Sequence, residues 1–147
     1  MSYDTARPYL ASFVLLRKGS KIALLLRSHT GWMDGFYGLP AGKAEVGERA
    51  STAAVREAYE EAGVTVKESD LRLVHVSHRK ADDDTVAWID LLFETNVWEG
   101  KAYNAEPHKH SELVWFKPDL LPDNIIPAGR FFLEHIAAGK VYSEHGW

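Results

Sequence analysis

Apolar and alternating positions along the chain predict a series of short β-strands. Six segments have this pattern: residues 10–17, 21–27, 36–39, 71–79, 85–98 and 112–116. Lys18-Gly19-Ser20 and residues 81–84 are typical of turns between consecutive strands. The run VAWIDLLF is almost continuously apolar, which favours a central strand covered on both faces.

Two other segments have the features of helices. Residues 48–62 are rich in Ala and Glu, contain no Gly or Pro, and are followed by Gly63, a preferred residue at helix C-termini. Pro127 stands where a second helix, over residues 128–138, would begin. Residues 140–147 show no clear pattern. These elements predict an α/β fold in which helices cover both faces of a sheet.

Length and charge narrow the class of protein. The 147 residues fit one domain spanning 1–147, and 46% apolar residues are ordinary for a globular protein. With 17 basic and 21 acidic residues, the formal charge of −4 argues against nucleic-acid binding. The absence of cysteine excludes thiolate metal sites and cysteine nucleophiles. No apolar run approaches the length of a membrane helix, so we expect a cytoplasmic protein that does not bind membranes. We expect it to be a monomer or a homodimer.

The first helix combines charges that disfavour its own formation. Glu57, Glu60 and Glu61 share one face, where like-charged pairs at these spacings cost about 0.2–0.5 kcal/mol each. They also lie in the C-terminal turns, where the helix dipole disfavours anions. Arg56 is the only nearby cation in the helix. A bound divalent cation such as Mg²⁺ would resolve the conflict, and a solvated acidic face is the alternative.

At these positions the sequence resembles the Nudix hydrolase family, in particular its MutT-type members. The family signature is matched at Gly42, Glu48, Arg56, Glu57, Glu60, Glu61, Gly63 and Val64. Ala58 departs from it, because the family prefers a bulkier aliphatic residue there. The resemblance implies an α/β/α sandwich with a mixed sheet, in which the signature forms a loop–helix–loop. It also implies an enzyme that hydrolyses the diphosphate of a nucleotide derivative.

The resemblance assigns roles within the segment that carries the signature, residues 42–64, which is called the box here. It implies that Glu60 and Glu61 are the principal ligands of Mg²⁺, with Mn²⁺ as a possible substitute. Glu57 is implied as a further ligand or as the general base, and both roles stay open. The backbone carbonyl of Ala41 is an expected ligand by analogy.

Three other box residues are expected to orient the site. Arg56 is expected to belong to the catalytic group together with Glu57, Glu60 and Glu61. Its expected role is to position a carboxylate through a salt bridge. Glu48 is its expected partner, or an outer metal ligand. Gly42 and Gly63 have structural roles in the box.

Outside the box the resemblance suggests three more site residues. Glu106 is the expected additional acidic ligand, with Glu112 as the rival and an ordinary loop glutamate as the alternative for either. Arg27 is expected to contact phosphate, unless it is a surface charge at a strand end. Asn124 is expected to read the base, unless it only forms a turn between two prolines.

The expected substrate follows from Glu106, Arg27 and Asn124, and from the absence in this chain of sequence marks that are typical of other subclasses. The expected reaction converts a (deoxy)nucleoside triphosphate to its monophosphate and pyrophosphate. Hydrolysis of ADP-ribose or a nucleotide sugar is the alternative within the family. Two alternatives of other classes are a non-catalytic nucleotide-binding module and a structural protein stabilised by metal.

Overall fold

The computed structural model describes residues 4–81 and 86–147. The described part contains eight strands and two α-helices, followed here in chain order: β1 Tyr9–Lys18, β2 Lys21–Arg27, β3 Tyr37–Gly38, β4 Ala41–Lys43, α1 Ala50–Ala62, β5 Arg72–Lys80, β6 Ala87–Thr95, β7 His110–Phe116, α2 Pro127–Ala137 and β8 Tyr142–His145. The predicted turn at 81–84 lies, apart from Ala81, outside the described residues, as does Thr85.

The strands form one mixed sheet that separates where the box begins. Its main order is β3-β2-β1-β6-β5-β8, with β4 paired to β1 and β7 paired to β2. β1 is parallel to β6 and antiparallel to β2. β1 and β2 are registered only beside their turn, at Arg17–Ile22 and Lys18–Lys21. Further along, β4 pairs with β1 and β3 with β2, so residues 37–43 enter the gap between the two long strands.

Successive residues of β1 point to opposite faces of the sheet, and each face is covered by one helix. Val14 and Leu16 belong to the cluster that α1 covers with its buried alanines Ala54, Ala58 and Ala62. Leu15 belongs to the other cluster, together with Phe132 and Leu133 of α2. The predicted α/β/α sandwich with a mixed sheet is confirmed. The small residue Ala58, which departs from the family signature, is fully buried on the side of α1 that packs against the sheet.

Element boundaries differ from the prediction where side chains form local turns. The first helix begins at Ala50, not at residue 48, because Glu48 accepts a hydrogen bond from the Glu45 backbone N–H and stays in the preceding loop. β6 ends at Thr95, not at residue 98, since the Thr95 hydroxyl bonds to the backbone of Val97 in a turn.

Two strands have no counterpart in the predicted set. β4 is only three residues long and contains Gly42, so it has no strand pattern of its own. β8 lies in the unassigned tail and pairs in parallel with β5, placing His145 beside Arg79. Neither helix in the described ranges is long and apolar enough to cross a membrane.

Candidate active site

Arg56 connects three carboxylates at the box. Its guanidinium donates to Glu48 through Nε and Nη2, both at 2.9 Å, and to Glu57 through Nη1 at 2.7 Å. Nη1 also lies 3.3 Å from Glu60. The pKa of Glu48 is lowered to about 2, chiefly by the Arg56 hydrogen bonds, which keeps this carboxylate ionised. The predicted Arg56–Glu48 salt bridge is present, and it fixes the arginine against the loop before α1.

Glu57 is buried and tightly enclosed. A Cβ atom at Gly42 would overlap its carboxylate, so glycine is required for this close approach. Burial raises the pKa of Glu57, and Glu60 and Glu106 add to that effect, whereas Arg56 opposes it. The box glycine thus lets a carboxylate sit against the backbone of β4.

Glu61 has a different environment from its helix neighbours. Its only hydrogen bond within the described chain is accepted from the Ala41 backbone N–H, at 3.1 Å. Burial raises its pKa well above the ordinary value, and the nearby Glu57 and Glu106 carboxylates raise it further. Glu61 therefore places its carboxylate at Ala41, just before the box begins, and no cation is bonded to it among the described residues.

The loop after β6 brings Glu106 to this group. The backbone N–H groups of Tyr103 and Ala105 donate to the carbonyls of Ala62 and Glu61 at the end of α1. These bonds satisfy helix carbonyls that would otherwise lack partners, and they dock the loop. Glu106 is close enough to affect the pKa of both Glu57 and Glu61.

Glu112, the rival of Glu106, lies elsewhere. It is on β7 opposite Leu26 and accepts a hydrogen bond from the Tyr37 hydroxyl. That bond raises the pKa of Tyr37 to about 12. The geometry favours Glu106 over Glu112 as the additional acid of the box.

Gly63 ends α1 as predicted. Its φ of 70° is in the left-handed region, and its N–H donates to the Tyr59 carbonyl. A Cβ there would also overlap the Tyr103 ring. A larger residue would displace the loop that carries Glu106.

The donor set at the box suits a hard divalent cation. All candidate ligands are oxygens, and Glu61 is a half-buried carboxylate whose neighbours include other carboxylates. Arg56 donates hydrogen bonds to Glu57 and Glu60. Within residues 4–81 and 86–147, no three acidic or histidine side chains are already arranged to bind a metal ion. An ion would therefore have to compete with Arg56 for these two carboxylates.

A cavity of about 840 Å³ runs beside this cluster on the face of the sheet that α2 covers. Ala41, Gly42 and Glu61 line it near the box, and Phe13 and Leu39 contribute apolar wall. The box therefore faces a space that can receive a small molecule.

Arg27 lines the cavity at the end of β2 and is held by its own loop. It donates to the Trp32 carbonyl at 2.9 Å and to the Thr30 hydroxyl at 3.0 Å, and it lies over the Trp32 ring. Asn124 does not line the cavity. Its amide donates to the Gly35 carbonyl at 2.9 Å, which ties the segment before α2 to the loop after β2.

Several cavity residues were not singled out from the sequence: Lys43, Arg79, Trp88, His110 and His145. Asp90, a carboxylate inside the apolar run of β6, was the sequence signal that could have led to Arg79, because a buried carboxylate requires a partner. His110 is buried, its Nδ1 has no hydrogen-bond partner among the described residues, and burial lowers its pKa to about 4. Nothing local in the sequence indicated that His145, in the unassigned segment 140–147, lines the cavity.

The family model of the NUDIX domain matches residues 7–136. The chain belongs to the NUDIX family. A solved MutT NUDIX hydrolase from Burkholderia pseudomallei is 26% identical, with 87% of this chain and 97% of that chain covered and a TM-score of 0.78. No curated protein matches the sequence.

Two further solved structures share the fold of this NUDIX chain. A MutT protein from Bacillus halodurans is 23% identical, covering 93% of this chain and 89% of that one, with a TM-score of 0.72. A NUDIX hydrolase from Nitrosomonas europaea is 21% identical, covering 92% and 93%, with a TM-score of 0.76. The prediction of a MutT-type NUDIX pyrophosphohydrolase is confirmed.

Proposed function

We propose that this NUDIX hydrolase converts a (deoxy)nucleoside triphosphate to the monophosphate and pyrophosphate. The observation that supports this is the cavity that runs from Glu61 and the Ala41–Gly42 backbone to Arg27. Its volume of about 840 Å³ is within the range of about 300–1,000 Å³ typical of small-molecule sites. One cavity thus has the Glu61 carboxylate, which belongs to the acidic cluster of the box, at one place and the phosphate candidate Arg27 at another.

The proposed reaction adds one water across the bridge between the α- and β-phosphates. The water oxygen bonds to phosphorus, the bond from phosphorus to the bridging oxygen breaks, and a protein carboxylate takes the water proton. Glu57 is one candidate for this base, since its raised pKa brings it closer to the working pH. Its other proposed role is as a metal ligand.

Glu60, Glu61, the Ala41 carbonyl and Glu106 are the proposed ligands of Mg²⁺ or Mn²⁺. A bound divalent ion would neutralise charge on the phosphate oxygens. Arg56 is proposed to orient Glu57 and Glu60 through the hydrogen bonds described above.

Arg27 is the proposed phosphate contact, because it lines the cavity with its remaining N–H groups unbonded within the described residues. Asn124 stays a prediction as a substrate contact. In the structure its amide is engaged with Gly35, so base reading would require that bond to be exchanged. A cytoplasmic location and a monomeric or homodimeric state also stay predictions.

The test is release of pyrophosphate or phosphate from (d)NTPs, ADP-ribose, nucleotide sugars and dinucleoside polyphosphates with Mg²⁺, with and without EDTA. We expect turnover of at least one (d)NTP to a monophosphate, and its loss in EDTA. Turnover confined to ADP-ribose or nucleotide sugars would replace the proposed substrate. Nucleotide binding without hydrolysis of any compound would contradict the enzymatic proposal.

Glu60→Gln tests the cluster directly. We expect kcat to fall by about 10²–10³, the scale of losing one electrostatic group in an active site, with little change in the unfolding midpoint. The matched control is Glu134→Gln, which alters an exposed glutamate on α2. Unfolding of Glu60→Gln, or equal activity of the two variants, would contradict the assigned role.

A further inference from the structure

The cavity extends past the box to a second group of polar residues. Trp88 of β6, Arg79 of β5 and His145 of β8 line this end. Between it and Arg27 lie the box backbone and the apolar residues of β1. Nothing in the proposed reaction uses this second end.

Arg79 is held in one orientation there. Its Nε and Nη2 donate to the two carboxylate oxygens of Asp90 at 2.8 and 3.0 Å, and Asp90 is fully buried. Its guanidinium also lies 5.0 Å from the centre of the Trp88 ring. Two independent contacts therefore fix a planar group at the cavity wall.

Part of this guanidinium remains available. Arginine has five N–H donors, and Asp90 occupies two of them. Within the described chain the other donors of Arg79 have no acceptor, and its side chain is 19% exposed. The Nη1 and Nη2 edge can thus donate two parallel hydrogen bonds to a ligand.

We propose that Arg79, oriented by Asp90 and Trp88, binds the part of the substrate beyond the diphosphate and recognises two adjacent hydrogen-bond acceptors on it. The inference rests on the proposed function, because it assigns a second contact in the same cavity. It makes Arg79 a specificity-determining residue and Asp90 a positioning residue.

The position of Arg79 in the sheet separates it from the diphosphate. From β4 at the box, the order across the sheet is β1, β6 and then β5. Three strand spacings of about 4.8 Å place the β5 backbone about 14 Å from the box backbone. Arg79 therefore serves the substituent of the diphosphate, whereas Arg27 lies on β2, on the other side of the box.

Two sources could present such a pair of acceptors. One is the guanine edge, with O6 and N7, which arginine recognises through paired hydrogen bonds. The other is a second phosphate on the nucleoside, which takes the same fork. Adenine offers neither, because its exocyclic group is a donor next to N7.

The experiment is calorimetric binding of GMP, AMP and adenosine 3′,5′-bisphosphate to the full chain, without turnover. Arg79→Lys retains the charge and removes the fork. We expect it to weaken binding of GMP or of the bisphosphate about 10-fold, and to leave AMP unchanged. Loss confined to GMP identifies the base edge, and loss confined to the bisphosphate identifies a second anion.

Arg72→Lys is the matched control, because Arg72 lies on the same strand, is exposed and pairs with Glu94. The double variant Arg79→Met/Asp90→Leu removes the fork without leaving a buried charge alone, and it should reproduce the selective loss. Equal loss for all three ligands, no loss, or no binding to the wild type would overturn the proposal. Selective loss in a chain that hydrolyses no nucleotide would uphold the subsite and contradict the proposed function alone.

Discussion

Arg56 and Arg79 are both held by carboxylates, but the charge around them is balanced differently. Arg56 serves Glu48, Glu57 and Glu60, and its side chain is 26% exposed. Arg79 pairs with one carboxylate, Asp90, which has no exposure at all. The first network has more negative charge than its arginine can neutralise, and the second is neutral within itself.

This difference indicates what each arginine can do. An excess of carboxylates beside the half-buried Glu61 favours a cation, and Arg56 holds Glu57 and Glu60 of that group in place. In the neutral Arg79–Asp90 pair, both carboxylate oxygens accept hydrogen bonds from the arginine and hold it in place. The other edge of the guanidinium can then donate to a ligand. The same residue types therefore form a network with excess negative charge at the box and a charge-balanced pair on β5 and β6.

The largest expected effect is on the balanced pair. Arg79→Met leaves Asp90 buried without a partner, which should cost about 3–5 kcal/mol of unfolding free energy. Urea unfolding measures it, and millimolar Mg²⁺ should recover none of the loss. Adding Asp90→Leu should restore most of the stability. A loss below about 1 kcal/mol for the single variant would show that the pair is not buried as described.

Arg56→Met should have a smaller effect of a different kind. It leaves three carboxylates facing one another, but solvent screens the exposed ones, so we expect a loss of about 2 kcal/mol. Mg²⁺ should recover part of it, because a divalent ion replaces the missing cation. Arg49→Met, which breaks an exposed pair with Glu68, is the control and should change stability by about 0.5 kcal/mol or less. Insensitivity of Arg56→Met to Mg²⁺ would remove the contrast between the two networks.

The smallest effect expected is a gain. The folded chain holds the pKa of Glu61 above its ordinary value of 4.5, so ionisation of Glu61 lowers stability as pH rises beyond that value. Glu61→Gln should therefore stabilise the metal-free protein by about 1 kcal/mol at pH 7, with the gain disappearing as pH falls below 4.5. Thermal unfolding across pH 4–8 measures this against Glu134→Gln. Destabilisation at pH 7 would mean that Glu61 is held by favourable contacts instead.

The box could be predicted because its contacts are local. The helix over Ala50–Ala62, its termination at Gly63 and the Arg56–Glu48 pair all connect residues within one segment of the chain. A conflict of like charges on one helix face is visible in the spacing alone. Assigning Glu106 required the resemblance, because the loop that carries it docks on α1 through backbone bonds that have no sequence pattern.

The second end of the cavity could be predicted only in part. An aspartate in an apolar strand is a sign of a buried partner that the sequence analysis did not use, and nothing in the sequence shows which cation that partner is. Arg79 is the partner of Asp90 because β5 and β6 pair antiparallel with Ser77 opposite Asp90, and Arg79 lies two residues from Ser77. β8 was missed because a four-residue strand gains its hydrogen bonds from β5 rather than from its own pattern.

The amino-acid sequence by itself determined the two-helix α/β architecture and the acidic face of the first helix, because periodicity and charge spacing are set by residues close together along the chain. Only the tertiary structure decided which arginine meets which carboxylate and where the cavity ends. Those contacts join strands far apart in sequence, and their register depends on the packing of both helices against the sheet.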